Sequence, residues 1–331
     1  MTPAMQSVQL FLLAAVAFLV IGSFAAAVAA RVLRARVTRW EPRARHRALV
    51  LLAALPALLS FCLLLSVSLP SLIALVVPGL DHCPMHDDHH AHLCFVHLPK
   101  VGINLALLLP LIFGLSYLAL RAMLALSATA RAMRAVSSLR LTGEHRNDLG
   151  ITVVETHLPV CFAAGLLRPR VLMSRGLLES LGDEERAVVL AHERAHVRRR
   201  DALVASVVRA LSVIHLPTVA RWLVREVEIA AEQVCDEEAA ERVGDRLAVA
   251  SAILTVERAA QHAAARELDG IAVAFGECAV ERRVEALLVE PRPPASLRPF
   301  VVALGLAAVG VLAPAGELHH LTESVLSVIA H

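Results

Sequence analysis

The chain has 331 residues and a net charge of +2; 57% of it is hydrophobic, only 4% aromatic, and its mean hydropathy is +0.64. That is too apolar for an ordinary soluble protein, and the apolar residues come in blocks, which implies a protein of the lipid bilayer carrying a soluble insert. No stripe of basic residues interleaved with aromatics is present, so direct nucleic-acid binding is excluded.

Residues 8–30 form an uncharged apolar run long enough to cross a bilayer. A cleaved signal peptide needs positive charge ahead of its apolar core, whereas residues 1–10 hold no Lys or Arg and the charge follows instead. Arg31, Arg34, Arg36, Arg39, Arg43, Arg45 and Arg47 crowd residues 31–47, which puts this loop in the cytoplasm and the N-terminus outside. Residues 48–77 make a second span, interrupted by Pro56 and Pro70 and therefore expected to be kinked, tilted or followed by a short re-entrant piece. The loop 78–100 holds no Arg and faces out, 101–120 is the third span, and Arg121, Arg131, Arg134 and Arg140 after it place residues 121–298 inside. A shorter fourth span covers 299–316, and 317–331 is a short outer tail without Lys or Arg. The expected architecture is mainly α: a four-span helical membrane protein, both termini outside, with a cytoplasmic α+β domain inserted between spans 3 and 4.

Within the insert, helix continues from the third span, and short strands are expected at 151–156, 160–164 and 170–174, with Gly165 and Pro169 marking the turn between the last two. Long helices follow at 183–200 and 219–243, then an Ala-rich helix at 246–268. Pro291, Pro293 and Pro294 make a stiff linker back to the membrane.

The first of these helices carries His192-Glu193-Arg194-Ala195-His196, the pattern H-E-x-x-H. Residues four apart lie one above the other on a helix, so His192 and His196 present two imidazoles to a single ion, with Glu193 beside it as a water-activating base. A catalytic zinc needs neutral nitrogen ligands, an open position for water, and such a carboxylate. The competing reading is a solvated, ion-paired helix face. Against it, the start Leu181-Gly182-Asp183-Glu184-Glu185 and the apolar Val188, Val189 and Leu190 press the motif against a core, where unpartnered polar groups are costly.

Two His require a third protein ligand, and Glu226, Glu228, Glu232, Asp236, Glu237 and Glu238 lie downstream on the next long helix. Glu232 and Asp236 share a face, so one can bind the metal while the other accepts a hydrogen bond from a ligand imidazole. Glu228 shares that face one turn earlier, and helical geometry alone does not separate it from Glu232. Most of these carboxylates are expected to be solvated and paired with Arg221, Arg225 and Arg242.

The run Cys161-Phe162-Ala163-Ala164-Gly165-Leu166-Leu167-Arg168-Pro169-Arg170-Val171-Leu172-Met173-Ser174, the motif His192 to Asp201, and Glu232-Gln233-Val234-Cys235-Asp236-Glu237 together resemble the M56 family of membrane metallopeptidases, that of the bacterial beta-lactam sensor-transducers. The resemblance implies a zincin-like metalloprotease domain between spans 3 and 4 in a bacterial cytoplasmic membrane. It makes His192, His196 and Glu232 the ligands of one Zn2+ ion, Glu193 the general base and Asp236 the hydrogen-bond partner of a ligand, and so favours Glu232 over Glu228. It also implies a protein substrate, either a winged-helix transcriptional repressor or the protease itself, and hence a role in signal transduction. In the antibiotic-sensing members a penicillin-binding sensor follows the fourth span; about fifteen residues follow Gly316 here, so beta-lactam sensing is not expected. The strand 170–174 is the candidate for holding an extended substrate.

Alternatives come from other classes. M48-like quality-control proteases share H-E-x-x-H with a later E-x-x-x-D, which His192, Glu193, His196, Glu232 and Asp236 also satisfy. A non-proteolytic metal sensor or transporter is suggested by the outer loop, where His82, Cys83, His86, His89, His90, His92, Cys94 and His97 form a compositional signal for a second metal, zinc or copper; a Cys83–Cys94 disulfide competes with it. The first three apolar spans lack the ionisable residues expected of a transport path. A catalytically silent scaffold is disfavoured because Glu193 is intact. Cys161, Cys235 and Cys278 are expected to be cytoplasmic and reduced, with Cys235 in buried packing rather than on the metal.

Overall fold

The computed structural model describes residues 3–77, 93, 105–156, 159–267, 274–290, 296, 302, 305–306 and 309–330. The expected outer-loop metal or disulfide site, the linker prolines and most of the fourth apolar run lie outside these residues.

The chain is mostly helical with one small sheet. Three helices come first, α1 (Pro3–Val37), α2 (Pro42–Val76) and α3 (Leu105–Thr142). Each contains a stretch long and apolar enough to cross a membrane, Ser7–Val37, Pro42–Val76 and Leu111–Thr142. The basic segment 31–47 is therefore mostly helix, with α1 ending at Val37 and α2 beginning at Pro42. Helix α2 runs uninterrupted through Pro56 and Pro70, and Ser60 Oγ donates to the Pro56 carbonyl at 2.7 Å. Gly22 of α1 sits against Pro56: a Cβ there would lie 2.8 Å from the Pro56 carbonyl oxygen, so only glycine permits this approach of the two helices.

The strands are β1 (Glu144–Arg146), β2 (Ile151–Val154), β3 (Cys161–Ala164) and β4 (Arg170–Ser174), in the order β1-β2-β4-β3. β2 and β4 are parallel; β1 and β3 flank them antiparallel. One side of the sheet packs on Val136 and Leu139 of α3 through Val154, Ala164 and Leu172. Ile151, Val153, Val171 and Met173 meet α4 (Arg175–Ser180) and α5 (Asp183–Arg199) through Leu177, Leu178, Val189 and Leu190. Ser174 links the two, since its Oγ accepts from Leu177 N at the start of α4 and from Val160 N at 3.1 Å. Gly165, at φ +110° between β3 and β4, leaves room for Arg140 of α3, which donates to the Ala164 and Arg168 carbonyls at 2.7 and 3.0 Å.

Helix α5 starts at Gly182, whose N–H donates to Glu185 Oε2 at 3.2 Å, with Asp183, Glu184 and Glu185 favourably placed in its first turn. It ends at Arg200, a left-handed residue with φ 55°, after which α6 (Asp201–Leu211) and a 3₁₀ turn (Ser212–Ile214) lead into α7 (Pro217–Val243). Two further helices, α8 (Arg246–Glu267) and α9 (Ala274–Leu288), close over α5 and α7. Val208 of α6 and Leu223, Val227 and Ala230 of α7 share a core with Ala26, Ala30 and Val37 of α1 and Leu49, Leu52 and Ala53 of α2. The helix that bears Glu232 thus rests directly on two of the apolar helices. Residues 315–330, read from sequence as the end of a span and a short tail, form helix α10 (Ala315–Ala330), with Leu318 and Leu326 packed against Leu10, Phe18 and Val67.

Candidate metal centre

Helices α5 and α7 cross so that the two His of one meet the acidic face of the other. His192 Nε2 and His196 Nε2 lie 3.1 Å apart, and each is 3.4 Å from an oxygen of Glu232, Oε2 and Oε1 respectively. The outer nitrogens point to different carboxylates: His192 Nδ1 is 2.9 Å from Asp236 Oδ1, and His196 Nδ1 is 2.8 Å from Asp201 Oδ2. Each imidazole therefore has one nitrogen facing a carboxylate, hydrogen-bonded for His196 and in ion-pair contact for His192, and the other turned inward. The potential ligand atoms of His192, His196 and Glu232 all lie within 4.8 Å of one another, and two nitrogens with a carboxylate are the donor set that zinc takes.

These groups line a cavity of about 620 Å³, together with Cys161, Phe162 and Ala163 of β3 and an apolar arm of Val249, Ile253 and Val256 from α8. Glu193 is buried on the same cavity, and Ala163 of β3 lines that cavity beside it. Burial pushes the Glu193 carboxyl up, and the neighbouring His192 and His196 temper the rise. Burial works to lower both imidazoles, but hydrogen bonds to carboxylates outweigh it: His192 is brought up to about 9 by Asp236 and Glu232, and His196 is raised chiefly by Asp201. Burial also acts to raise Glu232, yet the two His and Arg283 hold it well below the usual carboxylate range.

Of the two carboxylates that share this face, Glu232 is the one that approaches both His, while Glu228 instead receives Arg209 Nη2. The other acidic residues of α7 find partners outside their own helix, in place of the expected Arg221, Arg225 and Arg242: Glu226 pairs with Arg45 and Arg282, Glu237 with Arg246, and Glu238 with Arg198. Cys235 is fully buried with Sγ 3.4 Å from Asp201 Oδ2, and burial pushes its thiol up to about 12.

One expectation changes. The strand 170–174 cannot pair with a substrate, because β4 lies inside the sheet with β2 and β3 on its two sides; of the two edge strands, β1 and β3, it is β3 that lines the cavity. Two residues not singled out from the sequence complete the centre. Asp201 was visible at the end of the run after His196, but its role depends on the left-handed turn at Arg200. Arg283, from α9, carries no sequence signal; it reaches Asp236 through Nε and Nη2 and Glu232 through Nη1.

Comparison with known proteins points to a peptidase. A protease HtpX homolog of Salinibacter ruber (strain DSM 13855 / M31) is 27% identical over 140 residues, 34% of this chain and 51% of that protein. Another protease HtpX homolog, of Aquifex aeolicus (strain VF5), is 38% identical over 76 residues, 22% of this chain and 25% of that protein. The chain thus spans about half of one of these relatives and a quarter of the other. No solved structure matches it. The family model for the BlaR1 peptidase M56 matches residues 93–287, well over half of the sequence and all of the side chains that converge here, so the chain belongs to that family.

Proposed function

We propose that the chain is a membrane-embedded zinc endopeptidase in which His192, His196 and Glu232 hold the ion and Glu193 moves the proton. The observation that carries this reading is the convergence of His192 Nε2, His196 Nε2 and the Glu232 carboxylate on one point of a cavity where Glu193 is also buried. When bound, zinc supplies the charge that acidifies a water and polarises a peptide carbonyl. Glu193, its carboxyl raised by burial, takes the proton of the attacking water at a carboxylate oxygen and returns it to the leaving amine nitrogen. β3, at the edge of the sheet and lining the cavity, offers an extended peptide main-chain partners. Asp201 keeps the His196 proton on Nδ1, and Asp236 in contact with His192 Nδ1 favours the same tautomer there, which leaves both Nε2 lone pairs for the metal.

The Arg clusters after the first and third apolar runs favour a centre on the cytoplasmic side, and the family favours a regulatory substrate, a repressor-like protein or the chain itself. Replacement of Glu193 by Gln in the full chain is expected to leave zinc bound and to cut proteolysis by at least about 100-fold. Comparing the proteomes of cells carrying the wild type and this variant identifies the substrate: one stabilised regulator supports signalling, many stabilised membrane proteins support the quality-control reading, and retained proteolysis removes Glu193 from its role.

A further inference from the structure

Arg282 and Arg283 stand side by side on α9, and their charges enter different networks. Arg282 donates from Nη1 to Glu226 Oε1 at 3.0 Å and from Nη2 to Glu226 Oε2 at 3.1 Å, the carboxylate that Arg45 of α2 also holds. Arg283 lays its fork along Asp236, with Nε 2.9 Å from Oδ2 and Nη2 2.8 Å from Oδ1, while its Nη1 stands 3.1 Å from Glu232 Oε2. Asp236 Oδ1 is at the same time 2.9 Å from His192 Nδ1. One guanidinium therefore touches both a metal-facing carboxylate and the carboxylate that backs a metal-facing imidazole.

We propose that Arg283 is a positioning residue of the metal centre, fixing the orientation of His192 through Asp236 and steadying Glu232 directly. The inference rests on the zinc reading of His192, His196 and Glu232. Asp236 is 1% exposed, so its charge needs partners, and a single imidazole N–H cannot satisfy both of its oxygens. The fork of Arg283 occupies both oxygens at once, which sets the plane of the carboxylate and with it the direction in which His192 is held. A third N–H remains for Glu232, and that suits a site where Glu193, Glu232 and Asp236 crowd three carboxylates around one cavity. A lysine could neutralise this charge but could not span both Asp236 oxygens and reach Glu232 as well.

The test uses the full chain in detergent micelles, with zinc affinity measured by competition against a chromophoric chelator and ligand geometry by the visible spectrum of the cobalt-substituted protein. Arg283→Ala is expected to weaken zinc binding by about 10–100-fold and to change the cobalt spectrum. Arg283→Lys should recover part of the affinity without the wild-type spectrum, and Arg282→Ala, one residue away on the same helix, should alter neither readout. Wild-type affinity and spectrum in Arg283→Ala would overturn the proposal, as would full recovery of both by Lys, which would make Arg283 a counter-charge only. If Arg283→Ala does not fold, the spectrum of Arg283→Lys decides in the same way. His192→Ala separates the two levels: if it loses zinc and Arg283→Ala does not, only the Arg283 inference fails, whereas if it binds zinc like the wild type the metal reading itself fails.

Discussion

His196 Nδ1 lies 2.8 Å from Asp201 Oδ2, a carboxylate that the chain brings back to the ring by a single left-handed residue, Arg200 at φ 55°. Arg199 Nε at 3.2 Å and Cys235 Sγ at 3.4 Å hold the same oxygen, so the carboxylate is fixed from three directions. Asp201→Ala frees the imidazole to rotate and to change tautomer, and zinc affinity is expected to fall by about 10–100-fold. Chelator competition measures it, and an unchanged affinity would detach Asp201 from the centre.

Zinc binding should depend on pH with a definite sign. His192 is held up at about 9, and the ion has to displace its proton. Affinity is therefore expected to rise by at least about tenfold per pH unit from its ordinary pKa of about 6.5 towards 9. The zinc-free protein behaves oppositely, because a raised histidine stabilises fully below its unfolded pKa and loses that contribution as pH climbs through the folded value. Its melting midpoint should fall from pH 6.5 to 9 while that of the zinc-loaded protein does not. An affinity flat across this window contradicts the assignment.

The buried pair of Arg45 and Glu226 joins α2 to α7, with Gln233 Oε1 accepting from Arg45 Nη1 at 3.1 Å. Arg45 is 3% exposed, so Glu226→Ala takes this counter-charge from a buried guanidinium and should cost about 3–5 kcal/mol. The loss should appear as a lower unfolding midpoint in detergent and as faster proteolytic nicking of the metal-centre domain. A variant as stable as the wild type would mean that the apolar contacts of α7 alone hold it on α1 and α2.

Gly22 and Gly176 make a matched pair. A Cβ on Gly22 would meet the Pro56 carbonyl at 2.8 Å and Pro56 Cα at 3.0 Å, whereas nothing lies within 4 Å of one on Gly176. Gly22→Ala should destabilise by about 1–3 kcal/mol by forcing α1 from α2. Gly176→Ala, inside α4, should instead stabilise by up to about 1 kcal/mol through helix propensity. Unfolding midpoints of the two variants, measured side by side, check both signs.

What the sequence disclosed was what repeats locally. The 3.6-residue period and the caps gave α5, α7 and α8 almost to the residue, and the turn at Gly165 and Pro169 gave the β3–β4 hairpin. The end of the first helix at about residue 200 is expected, but the left-handed turn at Arg200 and helix α6 straight after it carry no Gly or Pro signal in that basic run. Sheet order is a long-range property: nothing between 151 and 174 states that β4 is enclosed and β3 is an edge. The same holds for charge pairing, where Glu228 chose Arg209 of α6 over the arginines of its own helix. Arg283 was hidden for that reason too, since its value lies only in where α9 docks.

Helix α3 has 38 residues, which at 1.5 Å per residue makes a rod of about 57 Å, nearly twice what a hydrocarbon core requires. Its far end is not free, because Arg140 clasps the two carbonyls that bracket Gly165. The rod thus acts as a ruler between the bilayer and the strand beside Glu193, and both its length and its phase count. One residue inserted near Thr129 would swing Arg140 by about 100° around the axis and lift the hairpin by about 1.5 Å, whereas an insertion of seven residues would nearly restore the phase while displacing the sheet by about two turns.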